Sequence, residues 1–429
     1  MDDLLKSYRV AIETLFARTT SGIKPGLERT EALLSKLGNP HRRLSAVHVA
    51  GTNGKGSVVA TVEALLRASG KRVGRYTSPH LIDFRERITV DGIPIIEAEV
   101  LEFLQRWIPA AEEMGATFFE LTTALAFDWF VKQNVDIAVV ETGLGGRLDS
   151  TNVLIPLVAT VTSIGLDHTD LLGDTLEAIA REKAGIFKRG IPAVIGEQSP
   201  PIRSLLERCA RTAGAEPIVV IDNEYSINDV TVSSRGTSFT LTHGRDRYQI
   251  KTPLIGAYQA RNAALAIATV SALGSDVLPP PAEISSALSN VFLPGRFQWQ
   301  GKIIFDVAHN PDGAHTIAAT LRALNPPKPR TALVAVLADK DWRGIIQALG
   351  PVVDHFLFTN APSAPAERRW DPAGALAFAR SQRFEADLEP DFGVALARGE
   401  SASGTFIITG SFHTVGDAMS RLQVSPFAA

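Results

Sequence analysis

The chain has 429 residues, 45% hydrophobic and 21% charged, with a formal net charge of -3. That length buries two or three domain cores, and the near-neutral charge excludes a broad basic footprint for nucleic acid or anionic membrane, so any bound anion must meet a local site. Cys209 is the only cysteine, which excludes an internal disulfide and fits a reducing compartment. The Met1-Asp2-Asp3 start lacks the basic and apolar regions of a signal peptide, and no apolar run is long enough to span a bilayer. A cytoplasmic protein without nucleic-acid or membrane partners is expected.

In chain order, residues 1–44 read as helical, with Leu27, Thr30, Leu33, Leu34 and Leu37 at helical spacing and a stop at Gly38-Asn39-Pro40. The segment from Ile23 to Arg29 reads, on spacing alone, as a capping loop. Val47, Val49 and Ala50 form a short apolar run of the kind buried on both faces of a parallel sheet. It stops at Gly51-Thr52-Asn53-Gly54-Lys55-Gly56-Ser57. Three glycines let backbone amides approach an anion, Lys55 adds a charge, and Ser57 offers a hydroxyl for Mg²⁺. The general phosphate-loop pattern wants the hydroxyl directly after the lysine, and here Gly56 intervenes, so the assignment rests on the strand before the turn and the helix expected from Val58 to about Ser69. The plain alternative is a flexible glycine-rich turn with an incidental lysine.

After a second strand, Thr77 to Ile88 is expected to be an irregular loop, too polar for core and too long for a tight turn. Helices follow at about Glu97 to Met114 and Phe119 to Gln133. The strand Asp136 to Val140 then runs into the glycine-rich segment Glu141 to Asn152, and a glycine-rich loop with an acid at the carboxyl end of a buried strand is where open parallel sheets place ligands. A strand at about Leu157 to Thr162 leads to Ser163-Ile164-Gly165-Leu166-Asp167-His168, and strands and helices alternate to about Ile221. From Tyr225 to Lys251 the pattern changes to short alternating stretches, an antiparallel appendage. A helix from Gly256 to Leu273 and another through the 280s follow. The boundary is drawn at Leu293-Pro294-Gly295-Arg296. Beyond it come strands at Lys302 to Asp306, Thr331 to Leu337, His355 to Thr359 and Thr405 to Thr409, with helices near Gly313 to Leu324 and Trp342. The fold class is therefore α/β: a doubly wound, mostly parallel sheet with a small antiparallel appendage over residues 1–294, then a smaller Rossmann-like domain over 295–429.

Three residues after the phosphate loop could serve a metal. Glu141, at a strand end, can hold Mg²⁺ directly together with phosphate and water oxygens. His168 taken alone is better read as a hydrogen-bonded loop histidine than as a magnesium ligand. Lys183 cannot ligate as an ammonium and reads as a solvated helix face, unless carbon dioxide carbamylates its amine into an anionic oxygen donor; spacing does not reveal that.

The ordered motifs GTNGKGS, YTSPHLIDFRERI, FELTTA, ETGLGGRLDSTN, GLDHTDLLG, REKAGIFK, QARNAALA, PGRFQ, DVAHNPDGA and TGSFHTVG run from about Gly26 to Gly416. They resemble the folylpolyglutamate synthases and bifunctional dihydrofolate synthases of bacteria, within the Mur ligase superfamily. The resemblance implies a P-loop Mur-type central ATPase domain and a C-terminal ligase domain. It implies that Gly54, Lys55, Gly56 and Ser57 hold the ATP phosphates, with Asn262, Arg296 and Asp306 as further ATP contacts. It makes Ser78, Glu141 and His168 Mg²⁺ ligands, with Ser57 beside them, and makes Lys183 the carbamylated lysine. Folate-side positions would be Pro25, Gly26, Leu27, Phe119, Glu120, Leu121, Thr122, Leu148, Asp149 and Ser150. His309 and Ser411 would handle incoming glutamate or nucleotide, and Lys55, Lys183, His168 and His309 would be the catalytic set. Tyr258, Val307 and Phe412-His413 depart from the commoner family pattern, which bears on pocket detail and not on nucleotide binding.

The implied activity is an ATP-dependent ligase that turns a pteroate or folate carboxylate into an acyl phosphate and couples it to L-glutamate. The substrates would be ATP, L-glutamate, dihydropteroate and reduced folates, with Mg²⁺ as cofactor, a monovalent cation as a further candidate, and a monomer as the expected state. The loop at Leu148-Asp149-Ser150 and the Pro25 loop favour the bifunctional pattern. The alternatives are a polyglutamate synthase alone, a Mur-like ligase for another carboxylate, and, from a different class, a nucleotide-binding switch that forms no amide.

Overall fold

The computed structural model describes residues 2–18, 26–274 and 277–427. Its first sheet has eight strands: β1 (Ala46–Ala50), β2 (Val73–Tyr76), β3 (Ile88–Val90), β4 (Ile93–Pro94), β5 (Ile137–Glu141), β6 (Val158–Val161), β7 (Ala193–Ile195) and β8 (Ile218–Val220). They lie in the order β4-β3-β2-β5-β1-β6-β7-β8. Every pairing from β2 to β8 is parallel, and only the β3 and β4 edge is antiparallel. β1, β5 and β6 are buried at every residue, as expected of strands covered on both faces.

The two faces carry separate cores. Helix Lys55–Ala68 is apolar over most of its surface because it is wedged between the sheet and helix Tyr258–Ser271, filling one face with Val58, Val62, Leu65, Ala263 and Ile267. Helices Glu97–Glu113 and Phe118–Lys132 cover the other face with Phe103, Leu104, Leu121, Phe127 and Phe130. The appendage is a three-stranded antiparallel sheet of β9 (Tyr225–Ser233), β10 (Gly236–His243) and β11 (Asp246–Thr252).

The second domain holds β12 (Gln298–Gln300), β13 (Ile303–Phe305), β14 (Arg330–Val334), β15 (His355–Phe358), β16 (Ala386–Leu388) and β17 (Thr405–Thr409) in the order β12-β13-β17-β14-β15-β16. All pairings are parallel except the short β12 edge. The fold class is the one expected, with local corrections. The N-terminal helical stretch is split into Asp2–Ala17 and Glu28–Lys36. Thr77 to Ile88 is less irregular than expected, because Asp83 and Glu86 form a capping box around a short 3-10 turn, Phe84–Arg87, that feeds the β3 and β4 hairpin. β14 ends at Val334, and Leu337 makes a lone bridge to Arg369. Helices Pro372–Ser381, Phe392–Ser401 and Phe412–Arg421, with β12 and β16, have no counterpart in the expected element list.

Candidate active site

The phosphate loop leaves β1 and enters its helix at Lys55, three residues earlier than the sequence pattern suggests. Gly54 makes this possible. Its φ is 89°, and a Cβ there would sit 2.8 Å from Asn262 Oδ1, so only glycine fits. No side chain caps this helix, which leaves its first amides free for an anion. Neighbouring strand ends hold the loop's shape: Thr162 and Ser163 hydroxyls donate to the Asn53 carbonyl at 2.7 and 3.1 Å, and Thr52 N donates to Ser163 O at 2.7 Å. Lys55 folds back, with Nζ donating to the carbonyls of Gly51 (3.1 Å) and Thr52 (3.3 Å) and lying 3.7 Å from Glu141. Ser57 is buried at the helix start, and Arg296 Nη2 approaches Gly56 from the second domain.

Glu141 closes β5, which pairs with β1 so that Val49 faces Glu141. Its carboxylate is buried and accepts from Ser78 N at 3.4 Å. Burial raises its pKa, while the Lys55 and Arg296 charges oppose that rise. Lys183 is also buried, and Nζ donates to Gly51 O at 2.9 Å. Desolvation, aided by the Lys55 charge, lowers its pKa to about 7. Lys183 is thus an interior group, not the solvated helix face that spacing suggests. The glycine-rich loop touches the end of its helix: a Cβ on Gly146 would lie 2.8 Å from the Lys183 carbonyl oxygen, and one on Gly185 would lie 2.5 Å from Arg147 Cα.

Asp149 organises that loop from inside. Its carboxylate accepts from Gly143 N (2.9 Å), Leu144 N (2.8 Å) and Thr151 N (3.0 Å), and from the Thr151 hydroxyl. Because that hydroxyl donates to Asp149, its oxygen accepts from His48 Nε2 at 2.8 Å, which fixes the His48 tautomer. Burial pushes the Asp149 pKa up and holds that of His48 down at about 3. Ser150 is buried at the start of a 3-10 turn, and Leu148 stands at the exposed rim.

The other expected folate-side positions divide. Pro25 lies outside the described residues. Gly26 and Leu27 lead into helix Glu28–Lys36, with Leu27 as its N-cap residue. The Phe119 ring is half-buried against Gly143 and lies 6.0 Å from the Tyr76 ring. The side chains of the next three residues make contacts within the first domain. Glu120 accepts from Thr117 N in a capping box and pairs with Arg29 at 2.9 Å; Leu121 is in the core; the Thr122 hydroxyl donates to Phe118 O.

On the second domain, buried Asp306 accepts from Phe297 N (2.8 Å) and Ala308 N (2.9 Å). Burial raises its pKa to about 6 against the pull of Arg296. The Arg296 guanidinium lies 5.2 Å from the Phe412 ring centre. Asn262 Nδ2 donates to Gln259 Oε1. Ser411 is an N-cap: its hydroxyl oxygen accepts from Thr414 N at 3.0 Å and bonds the Thr414 hydroxyl.

His168, His309 and a residue with no expected role, Asp167, meet between the domains. Lys340 Nζ lies 2.5 Å from Asp167 Oδ1, and His309 Nε2 lies 3.3 Å from Asp167 Oδ2. His168 has a left-handed backbone, stays partly exposed, and turns Nε2 to 3.5 Å from the Lys340 ammonium; partial desolvation in the cleft and that charge lower its pKa to about 4. The only sequence signal for Asp167 is its place beside His168. Nothing near Lys340 announces a partner 173 residues away.

Among the described residues, no three His, Cys, Asp or Glu side chains form a metal-holding group. One carboxylate and two serines, Glu141, Ser57 and Ser78, flank the phosphate loop. This oxygen-donor set fits a hard cation that takes its other ligands from phosphate and water. Also among the described residues, no helix is long and apolar enough to cross a membrane.

Residues 49–270 match the Mur ligase middle domain, and residues 295–412 match the Mur ligase glutamate ligase domain. The dihydrofolate synthase/folylpolyglutamate synthase of Bacillus subtilis is 34% identical over 98% of this chain and 100% of its own length. The protein of the same name from Escherichia coli is 35% identical, over 97% of this chain and 94% of its own. The structure of Mycobacterium tuberculosis folylpolyglutamate synthase complexed with ADP superimposes with a TM-score of 0.90 at 34% identity, covering 99% of this chain and 100% of that one. That of E. coli FolC with DHPP and ADP gives 0.85 at 32% identity, over 96% and 97%. With the uncapped phosphate loop, buried Glu141 and buried Lys183 in place, the chain belongs to the Mur ligase family, among its folylpolyglutamate and dihydrofolate synthases.

Proposed function

We propose that this chain is an ATP-dependent ligase that activates the carboxylate of dihydropteroate or of a reduced folate and couples it to L-glutamate. The observation that carries this reading is the convergence of Lys55 and Lys183 on the Gly51 carbonyl, with Glu141 3.7 Å from Lys55 beside the uncapped helix start, in a chain aligned end to end with dihydrofolate synthase/folylpolyglutamate synthases.

In this reading the first amides of helix Lys55–Ala68, from Lys55, Gly56 and Ser57, receive the phosphates together with Gly54. Lys55 leaves the Gly51 and Thr52 carbonyls to meet the triphosphate charge. Two like unit charges 4 Å apart repel by about 1 kcal/mol in water and by more at lower effective dielectric, so the substrate carboxylate cannot approach until this charge is offset. Mg²⁺, held by Glu141 with the Ser57 and Ser78 hydroxyls and by His168 once it turns from Lys340, would polarise the phosphate oxygens. The carboxylate attacks the γ-phosphorus in line and ADP leaves. The amine of glutamate then attacks the acyl carbon, and phosphate leaves with the C–O electron pair. His309 and Ser411 stand on the domain that delivers the amino acid, and Asn262, Arg296 and Asp306 hold the nucleotide across the cleft.

Lys183 suits carbamylation because burial lowers its pKa to about 7, so about half of its amine is neutral near pH 7. The nitrogen lone pair attacks carbon dioxide, a proton leaves, and an anionic carbamate replaces a cation beside Gly51. The same reading takes 294/295 as the domain division, a monomer in the cytoplasm, and a monovalent cation as a candidate addition. Phe119, the rim at Leu148 and the Pro25-Gly26-Leu27 approach would face the folate.

Product mass tests it: protein is incubated with ATP, Mg²⁺, L-glutamate and either dihydropteroate or tetrahydrofolate. Gain of one glutamyl mass in each tube is expected. Gain with tetrahydrofolate alone reduces the activity to polyglutamate synthesis, and ATP binding with no gain in either tube overturns the reading.

A further inference from the structure

Both ion pairs described between the two domains end on a single carboxylate, Asp167. This group is 10% exposed, and its partner Lys340 is 7% exposed. A lysine so far withdrawn from water needs a counter-charge, and Asp167 at 2.5 Å supplies it from the other domain. The second partner, His309, has its remaining ring nitrogen on Val307 O at 2.9 Å, which fixes the ring so that Nε2 addresses Asp167. On the far side, Asp339 lies 3.8 Å from Lys340 and is gripped by two nitrogens of Arg368, so the turn carrying Lys340 is braced. Other contacts across the boundary include Asn310 Nδ2 donating to Asn53 Oδ1 at 3.2 Å, Lys340 Nζ at 3.5 Å from His168 Nε2, and Gly416 against the Leu81 carbonyl.

We infer that Asp167 is a positioning residue: with Lys340 and His309 it forms an interdomain clasp that makes docking of the second domain and placement of the loop carrying His168 a single event. This rests on the proposed ligase reading for its consequence. The acyl phosphate is made on the first domain, whereas the amine arrives on the second. With the clasp cut, the acyl phosphate forms while the second domain stands away, and water takes the place of the amine. Water oxygen bonds to the acyl carbon, the C–O bond to phosphate breaks with its electrons on phosphate, and carboxylate, hydrogen phosphate and one proton result. ATP is then consumed without amide. The clasp thereby couples nucleotide use to ligation.

The test compares the full chain with Asp167→Asn, Lys340→Met and Lys340→Arg. Small-angle X-ray scattering without ligands reads domain docking, and parallel assays read phosphate released per amide formed. Expected are a larger radius of gyration for Asp167→Asn and Lys340→Met, a ratio severalfold above one for both, and near-native docking for the charge-retaining Lys340→Arg. Unchanged radius and a ratio of one in Asp167→Asn and Lys340→Met overturn the clasp, while amide formation by the native chain still upholds the ligase reading. Opening of those variants alongside a native chain that makes no folate amide upholds the clasp as the docking element and overturns the ligase reading.

Discussion

The phosphate loop and the Asp167 clasp stand at the ends of β1 and β6, which pair side by side, yet they are built in opposite ways. The loop is seven consecutive residues whose conformation follows from Gly54 and the strand and helix around it. The clasp joins groups 173 residues apart and exists only when the two domains meet. The first kind of site survives separation of the domains in principle, and the second does not. The difference predicts that damage to the loop costs chemistry with little change of shape, whereas damage to the clasp changes shape and coupling together.

The sharpest break of this contrast is Lys55→Ala. Steady-state phosphate release should fall by about a hundredfold or more, as for loss of a charge that meets the transition state, with the radius of gyration unchanged. A changed radius would show that the loop, too, depends on domain docking.

The Asp149-Thr151-His48 chain sharpens the comparison inside the first domain, because it is assembled across 103 residues without any domain interface. His48 is neutral when folded, with its pKa lowered to about 3, while an unfolded histidine takes up a proton below about 6.5. Stability therefore falls as pH drops through the window from about 6.5 towards 3, at most by about 1.4 kcal/mol per pH unit from this group. Urea unfolding at pH 7 and pH 5 should show a loss of about 2 kcal/mol from this group, reduced in His48→Asn. Equal pH dependence in that variant would remove His48 from the account.

Asp306 tests the nucleotide side of the second domain. Its pKa of about 6 means that it is mostly ionised at pH 7 and mostly protonated at pH 5. If the ionised form holds the nucleotide, ADP affinity measured by calorimetry should weaken about tenfold over that interval. Asp306→Asn should show weak binding with this pH dependence removed. The smallest effect is expected of Arg147→Ala, which cuts an exposed ion pair with Glu182 at 2.8 Å. It should cost under about 1 kcal/mol and leave turnover near native.

What could be read from sequence follows the same division. The α/β class, the phosphate loop, Glu141 at its strand end and the antiparallel appendage depend on local periodicity and turn residues, and each is present. The interior placement of Lys183 was not legible from spacing, because only the fold shows which side of helix Leu176–Ala184 meets Gly51. Glu120 shows the converse. Thr117 three residues earlier makes its cap legible in sequence, whereas Arg29, far off in sequence, takes its other oxygen only in the fold. Asp167 and Lys340 were invisible because a charge pair between domains leaves no periodic trace in either.

The meeting of Gly146 with the Lys183 carbonyl, and of Gly185 with Arg147, bears on how this scaffold could be retooled. On the proposed reading, a designer who wished to admit a different carboxylate would begin with the rim at Leu148. Any redesign that adds bulk at position 146 or 185 levers the loop away from the helix and carries the Lys183 backbone with it. The loop and that helix end are therefore one transplantable part: a new specificity loop has to be grafted together with its lysine helix, or kept glycine at both points of contact.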